Sequence, residues 1–213
     1  MRLETNPENK TIEMRGPIGN FDGGISADDF RDCLKDHAGS DVTINLDSQG
    51  GSVSDGLAMY NAIIQHDGEV TIHIDTIAAS IATVICCAAD KVIINSTAKY
   101  MVHRCWTNAI GNCKDFRSTA DVMEMMDRDI AASYADKTGM GEEELLAMMD
   151  AETWMSPEEA VAQGFADEIN KIERKAPVKK AEAALPEVLA LSPVAVSLKA
   201  KAVARRLRMT IKK

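Results

Sequence analysis

Residues 70–89 read Val-Thr-Ile-His-Ile-Asp-Thr-Ile-Ala-Ala-Ser-Ile-Ala-Thr-Val-Ile-Cys-Cys-Ala-Ala, and this stretch decides the fold. The first half is rich in β-branched residues, whereas the second half is a run of small and apolar ones. This order predicts a strand, a tight turn and a buried helix.

Ser80 lies where that helix would begin, with two alanines before it. Its hydroxyl would lie beside unpaired backbone N–H groups at the positive end of the helix. A serine in this position can attack a carbonyl carbon. Serine is also a preferred N-cap residue, so the stretch alone equally fits an ordinary cap on a core helix.

A second informative stretch, 47–53, reads Asp-Ser-Gln-Gly-Gly-Ser-Val and follows the predicted strand 42–46. The helix predicted over 53–65 then leads to the strand before Ser80, which gives a β-α-β unit with parallel strands. Gly50, Gly51 and Ser80 would therefore lie at the carboxyl ends of neighbouring strands, where open α/β sheets place their sites. The two glycines match neither common nucleotide-binding loop, so we expect no nucleotide cofactor.

Composition supports one α/β domain of catalytic size followed by an extension. The chain has 213 residues, of which 46% are hydrophobic and only 4% aromatic, which suits helices packed on a sheet. Residues 171–213 carry twelve Lys/Arg and three Asp/Glu, although the whole chain has a net charge of −9. We therefore expect a domain over 1–170 and a basic tail over 171–213. The acidic body argues against a nucleic-acid substrate, whereas the tail could bind an acidic partner, RNA or its own assembly.

The cysteines and the N-terminus indicate a protein of the reducing cytoplasm. The five cysteines are an odd number, residues 1–4 do not resemble a secretory leader, and no apolar run approaches membrane-spanning length. His103, Cys105 and Cys113 raise the question of a metal site, but their spacing matches no usual zinc pattern. We expect no metal and no membrane association.

The remaining pattern predicts strands over 92–95 and 100–102, the second ending directly in His103. A long helix over 118–137 and a shorter one over 142–150 follow. The long helix carries an apolar, methionine-rich face, which is typical of a core and also of an assembly surface. Residues 156–159, Ser-Pro-Glu-Glu, form a capping box with proline at the first helical position.

With these motifs in order, the chain resembles the Clp-type serine peptidases, the ClpP family, over roughly residues 10–170. Residues 48–53 are similar to that family's Asn-Ser-Pro-Gly-Gly-Ser-Val, 78–80 to its Ala-Ala-Ser, and 101–103 to its Met-Ile-His. Residues 154–167 are similar to its closing segment, Phe-Leu-Ser-x-x-Glu-Ala-x-x-x-Gly-x-x-Asp.

The resemblance implies a ClpP/crotonase-like α/β fold of repeated β-α-β units with a projecting long helix. It also implies a homo-oligomeric ring and roles for individual residues. Ser80 would be the nucleophile, His103 the base and Glu152 the third member of the triad. The backbone N–H groups of Gly51 and Ile81 would stabilise the oxyanion. The substrate would lie along an extended edge formed by Gly50, Gly51, Ser52 and Val53.

Three departures from the family pattern stand out. Glu152 occupies the place of the family's aspartate, and Asp150 competes with it for the role of orienting His103. Thr76 replaces a glycine before the Ala-Ala segment, and Gln49 replaces the proline before the two glycines. The last two changes bear on the shape of the substrate subsites more than on the chemistry.

The divergence and the basic tail resemble the viral branch of the family, the head maturation proteases of tailed phages, which cut scaffold and capsid proteins. One alternative is a housekeeping Clp subunit that works with an ATP-dependent unfoldase. Others are a crotonase-like acyl-CoA enzyme, in which Glu152 would do acid/base work, and a non-catalytic assembly subunit.

Overall fold

Eight strands form one sheet within residues 2–171, the part of the chain that the computed structural model describes. They are β1 (Arg2–Asn6), β2 (Thr11–Arg15), β3 (Val42–Ser48), β4 (Val70–Ala79), β5 (Lys91–Asn95), β6 (Lys99–Val102), β7 (Thr153–Met155) and β8 (Glu168–Asn170). The main order is β1-β2-β3-β4-β5-β8, with β6 beside β4 and β7 beside β6. Strands β2 to β5 run parallel, as do the β4–β6 and β5–β8 pairs, whereas β1 and β7 are antiparallel to their neighbours. The α/β class is confirmed.

Six helices connect and cover the strands of this described part. They are α1 (Ala27–Lys35), α2 (Val53–Ile64), α3 (Ile81–Cys87), α4 (Cys113–Thr138), α5 (Glu142–Asp150) and α6 (Pro157–Ala162). The capping box of α6 forms as the sequence predicted. Helix α4 begins five residues earlier than the predicted 118, because Asn112 and Asp115 form a second capping box that starts the helix there.

The central strands alternate between buried and half-buried residues, so that one face of the sheet packs on the helices. In β3 the buried positions are Val42, Ile44, Leu46 and Ser48. Helix α3 is buried almost all round, which confirms the strand, turn and buried helix predicted for 70–89. Each large apolar side chain buried in this way stabilises the fold by about 1.5–3 kcal/mol relative to an exposed one.

Strand β4 exchanges neighbours along its length. Its first part, 71–74, pairs with β5, whereas its last part, 77–79, pairs with β6. A register irregularity between Leu46 and Ser48 of β3 accompanies the change. The C-terminal end of β4 therefore lies beside the C-terminal end of β6, and the residues that follow both strands are brought together.

The first half of α4 projects from the body of the protein. Side chains over 113–126 are mostly exposed, and burial begins at Asp127 and continues at Ile130, Ala131 and Tyr134. Fourteen helical residues extend about 21 Å. The exposed half carries large apolar side chains, among them Phe116 and Met125, which is 63% exposed. The projecting helix expected from the resemblance is therefore present.

The predicted basic tail lies, beyond Lys171, outside the described residues, and the boundary at residue 170 stays a prediction. Among the described residues, no helix combines the length and the apolar character needed to cross a membrane.

Candidate active site

Ser80 is the single residue between β4 and α3, and it has an unusual backbone conformation. Its φ is 57° and its ψ is −133°, and its side chain makes no capping hydrogen bond to α3. A non-glycine residue at positive φ costs on the order of 1–3 kcal/mol and persists only where its surroundings enforce it. The Ser80 N–H donates to the carbonyl of Met101 at 3.0 Å, which fixes the turn to β6. The alternative of an ordinary N-cap serine does not describe this geometry.

His103 follows β6 directly, and its ring reaches the Ser80 hydroxyl. The distance from His103 Nε2 to Ser80 Oγ is 2.8 Å. The contact follows from the sheet, because Ala79 and Met101 are paired and lie one and two residues before Ser80 and His103. A serine hydroxyl hydrogen-bonded to an imidazole is the arrangement in which the imidazole can remove its proton.

The Gly50-Gly51 loop lies against this turn. A Cβ on Gly50, whose φ is 89°, would be 2.7 Å from Ser80 Cβ and 3.1 Å from the Ile81 nitrogen. A Cβ on Gly51, whose φ is 150°, would be 2.1 Å from the carbonyl oxygen of Ile18. Only glycine allows both the backbone conformation and the close approach to the serine.

Two backbone N–H groups near the serine are free to bind a ligand. Ile18 donates to the Gly50 carbonyl at 2.9 Å and accepts from the Ser52 N–H at 2.8 Å, so the N–H of Gly51 points away from Ile18. Within residues 2–171 the N–H of Gly51 has no hydrogen-bond acceptor. Ile81 is the first residue of α3, so its N–H has no acceptor inside the helix. These are the two groups that the resemblance assigns to the oxyanion.

Ser52 uses its side chain to start α2. Its hydroxyl accepts from the Asp55 N–H at 3.3 Å and donates to the Asp55 carboxylate at 2.7 Å. Asp55 also accepts from the Ala27 N–H at 3.0 Å, at the start of α1. The hydrogen bond from Ser52 lowers the pKa of Asp55. The Ser52 N–H donates to the Ile18 carbonyl at 2.8 Å, and the Ser52 carbonyl accepts from the Gly56 N–H at 3.0 Å. The hydroxyl and the backbone of Ser52 therefore hold the loop and the start of α2 in place.

A pocket of about 430 Å³ opens beside the site, between α2, the segment 105–107 and α4. Val53 forms one wall and Trp106 another, and the α4 side includes Val122, Met123 and Met126. The sequence analysis placed Val53 on an extended substrate edge and did not anticipate a pocket with an α4 wall. The methionine-rich face was the available signal, and it was interpreted only as a core or assembly surface.

Glu152 lies near His103 but is not hydrogen-bonded to it in this structure. Val102 and Thr153 are the last pair of the antiparallel β6–β7 ladder, and His103 and Glu152 are the next residues beyond this pair on the two segments. The Glu152 carboxylate instead accepts from Trp154 Nε1 at 3.4 Å. Its backbone is left-handed, with a φ of 49°, which turns the chain between α5 and β7.

Asp150, the other carboxylate considered for orienting His103, is bound to Arg104 instead. Arg104 Nε and a terminal nitrogen donate to its two carboxylate oxygens at 2.7 and 2.9 Å. These hydrogen bonds lower the pKa of Asp150 and raise that of Arg104. Arg104 also contacts Asp127 at 3.3 Å, and Asp127 accepts from the Cys105 N–H at 2.8 Å. The ion pairs anchor the segment that follows His103.

The cysteines offer neither a nucleophile nor a metal site at this position. Burial, with Asp127 nearby, raises the pKa of Cys105 to about 11, so its thiolate is scarce at neutral pH. Burial also raises the pKa of Cys86. Over residues 2–171 the structure contains no cluster of three or more His, Cys, Asp or Glu side chains able to hold a metal ion.

The chain is similar to known proteins of one family. The profile of the family described as "Clp protease" matches residues 33–173, more than half of the chain. The chain belongs to the Clp protease family. Two curated relatives are described as "ATP-dependent Clp protease proteolytic subunit". The one from Bacteroides fragilis is 29% identical over 133 residues, which cover 62% of this chain and 64% of the relative. The one from Streptococcus gordonii is 28% identical over 171 residues, covering 76% and 85%.

A solved structure of a ClpP1 mutant from Listeria monocytogenes has the same fold. Its TM-score is 0.69 at 23% identity, and the match covers 78% of this chain and 94% of the other. The expected ClpP-type fold is confirmed. The chain spans less than two thirds of the Bacteroides fragilis relative, and the roles of individual residues stay predictions.

Proposed function

We propose that this chain is a serine endopeptidase in which Ser80 is the nucleophile and His103 the general base. The observation that carries the proposal is the 2.8 Å contact between His103 Nε2 and Ser80 Oγ, made by a serine held at positive φ. Neither residue would need this geometry in a crotonase-like enzyme or in a non-catalytic assembly subunit.

The first half of the reaction uses the serine, the histidine and the backbone. As Ser80 Oγ attacks the carbonyl carbon of the scissile peptide, its proton passes to His103 Nε2. The carbonyl oxygen becomes negative and accepts hydrogen bonds from the N–H groups of Gly51 and Ile81, each worth roughly 2.7–4 kcal/mol. The imidazolium then gives its proton to the leaving amine, and an acyl-enzyme ester remains on Ser80.

The second half regenerates the enzyme. His103 removes a proton from water, the resulting hydroxide attacks the ester, and the same two N–H groups bind the new oxyanion. Collapse releases the acid and returns the proton to Ser80. No metal or cofactor takes part in this scheme.

Glu152 is proposed to orient His103 from the opposite side of the ring. The β6–β7 register supports this role, because the ladder ends at the Val102–Thr153 pair, and His103 and Glu152 are the next residues beyond it on the two segments. The exposed carboxylate would leave Trp154 and rotate toward His103 Nδ1 when substrate is bound. An orienting carboxylate fixes the tautomer and stabilises the imidazolium.

The substrate is proposed to bind as an extended strand along Gly50, Gly51, Ser52 and Val53. Ile18 pairs with one side of Gly51, so a peptide would add to the other side, toward which the Gly51 N–H points. The pocket beside Val53 would accept an apolar side chain of the peptide, because Trp106 and the α4 methionines line it.

The active form is proposed to be a homo-oligomer. The projecting half of α4 exposes apolar side chains, including Phe116 at 50% and Met125 at 63%, on a helix with no covering element among the described residues. Exposed apolar patches of this kind mark association surfaces. A ring of subunits would confine the active sites.

The physiological role is proposed to be phage head maturation, in which the protease cuts scaffold and capsid proteins within the assembling particle in the host cytoplasm. The basic region 171–213 and the departures at Gln49, Thr76 and Glu152 support this branch. The second candidate is a housekeeping subunit that works with an ATP-dependent unfoldase. The descriptions of the curated relatives favour it.

Cleavage of protein substrates without nucleotide tests the proposal. The full chain would be incubated with an unfolded protein, with a folded capsid or scaffold protein, and with a short fluorogenic peptide, each beside the Ser80→Ala variant. Ser80-dependent cleavage of all three supports a head maturation protease. Cleavage of only the peptide and the unfolded chain supports the housekeeping alternative. The absence of Ser80-dependent cleavage of any of them would overturn the assignment as a peptidase.

A further inference from the structure

Two donors from one residue hold the carbonyl oxygen of Ser80. The Thr83 N–H donates to it at 2.9 Å, and the Thr83 hydroxyl donates at 2.5 Å. This carbonyl belongs to the same planar peptide group as the Ile81 N–H. Whatever holds the carbonyl therefore also sets the direction of that N–H.

A second hydroxyl lies behind Thr83. The phenol oxygen of Tyr134, on α4, is 2.7 Å from Thr83 Oγ1, and the two residues are 1% and 0% exposed. The one hydrogen of the Thr83 hydroxyl points to Ser80, so this oxygen accepts from Tyr134. Burial raises the pKa of Tyr134, so the phenol keeps its proton. The hydrogens run in one direction, from Tyr134 through Thr83 to the carbonyl of Ser80.

We propose that Thr83 and Tyr134 are positioning residues for the reaction, which aim and polarise the Ile81 N–H toward the oxyanion. The inference rests on the proposed function. Donors on a peptide carbonyl make the N–H of the same peptide group a stronger donor, because neighbouring hydrogen bonds polarise one another. The pair would act mainly in the transition state, when the substrate oxygen is charged.

Packing alone does not account for these hydroxyls. Burying a hydroxyl costs free energy unless it is hydrogen-bonded, and valine or phenylalanine would fill the same volumes. Tyr100 provides an internal contrast in the same buried cluster. Its phenol donates to the carbonyl of Thr83 at 3.0 Å and has no hydrogen bond to Ser80.

Four variants separate positioning from packing. Thr83→Val removes the hydroxyl of Thr83 and keeps the shape of the side chain. Tyr134→Phe removes the phenol hydroxyl, and Thr83→Ser keeps a hydroxyl at position 83. Tyr100→Phe is the matched control, because it also loses one buried phenol hydrogen bond. The measurements are kcat and KM on a fluorogenic peptide, affinity for a peptide aldehyde that forms a tetrahedral adduct with serine, and Tm.

The expected result for Thr83→Val is a kcat about three- to tenfold lower, the size of one buried hydrogen bond, with KM unchanged. Affinity for the aldehyde should fall by the same factor. Tyr134→Phe should lower kcat by a smaller factor than Thr83→Val. Thr83→Ser, which keeps a hydroxyl at this position, should have a kcat close to that of the wild type. Tyr100→Phe should lower only the Tm.

Lower Tm values with a wild-type kcat in both Thr83→Val and Tyr134→Phe would overturn the inference. Equal losses of kcat in Tyr100→Phe and Tyr134→Phe would overturn it too. If the wild-type chain instead shows no Ser80-dependent turnover, the proposed function itself has failed, and this outcome is separate from a failure of the positioning pair.

Discussion

Arg104 and Asp150 form a two-point ion pair, with nitrogen–oxygen distances of 2.7 and 2.9 Å, one residue beyond His103, the proposed general base. Two parallel hydrogen bonds of this kind fix both side chains in orientation. Both oxygens of Asp150 therefore bind the guanidinium. Of the two carboxylates considered for orienting His103, Asp150 is held at two points by Arg104, whereas Glu152 accepts from Trp154 Nε1 at the longer distance of 3.4 Å.

This difference predicts the ranking of two conservative variants. Glu152→Gln should lower kcat on a peptide substrate far more than Asp150→Asn, with KM little changed, because only Glu152 would stabilise the imidazolium. Loss of the orienting carboxylate in a well-studied triad costs about 10⁴ in kcat, and a loosely held glutamate should cost less. A more severe effect of Asp150→Asn would assign the orienting role to Asp150.

The second prediction concerns the approach of the glycine loop to the nucleophile. Gly50→Ala should lower kcat by about 10²–10³, the cost of losing one oxyanion donor, because the new Cβ would push the loop away from Ser80. Gly39→Ala is the matched control, since Gly39 also has a positive φ, of 69°, but has open space around its Cβ position. It should lose stability and keep its activity. Equal losses of kcat in the two variants would show that backbone strain, not the contact, is responsible.

The third prediction follows from the lowered pKa of Asp55, which joins the starts of α1 and α2. A carboxyl whose pKa is lower in the folded state stabilises the fold above its unfolded pKa, near 3.8, and this stability is lost as the pH falls through the folded pKa. Asp55→Asn should therefore lower Tm by about 2–4 °C at pH 7, and the difference should shrink below about pH 4. A Tm difference that is constant down to pH 2 would contradict the assignment of the effect to this carboxylate.

The fourth prediction tests the association surface on α4. Light scattering of the wild-type chain should give an oligomeric mass, and Met125→Glu should reduce it, because a charge would enter the apolar contact. Glu124→Gln, on the neighbouring exposed position, is the control and should keep the wild-type mass. A monomeric and fully active wild-type chain at working concentration would refute the proposed ring.

The sequence was most informative where the structure is local. The strand, turn and helix around Ser80 follow from residue type and periodicity, and the parallel β3–β4 pair follows from the β-α-β order. These features place the glycine loop beside Ser80. The end of β6 at His103 was also visible in the sequence, because a short apolar strand stops there.

Other features depend on contacts between segments that are distant in the chain, and the hydrophobic periodicity of one segment does not reveal these contacts. Strand β1 was missed because Leu3 is its only strongly apolar residue, so its pairing with β2 decides its conformation. The pocket beside the site was missed because its α4 wall comes from residues 118–126, which are far from Val53 in the chain. The early start of α4 could have been found, since Asn112 and Asp115 have the spacing of a capping box.

Covalent labelling with a fluorophosphonate, followed by peptide mass mapping, tests the central claim most directly. A fluorophosphonate reacts much faster with a serine that has an active base and oxyanion donors than with other hydroxyls, so we expect one adduct, on the peptide that contains Ser80. Ser80→Ala should abolish the adduct and His103→Ala should slow its formation severely. A folded wild-type chain that gains no adduct at Ser80, or gains one at another residue while Ser80 stays free, would contradict the account.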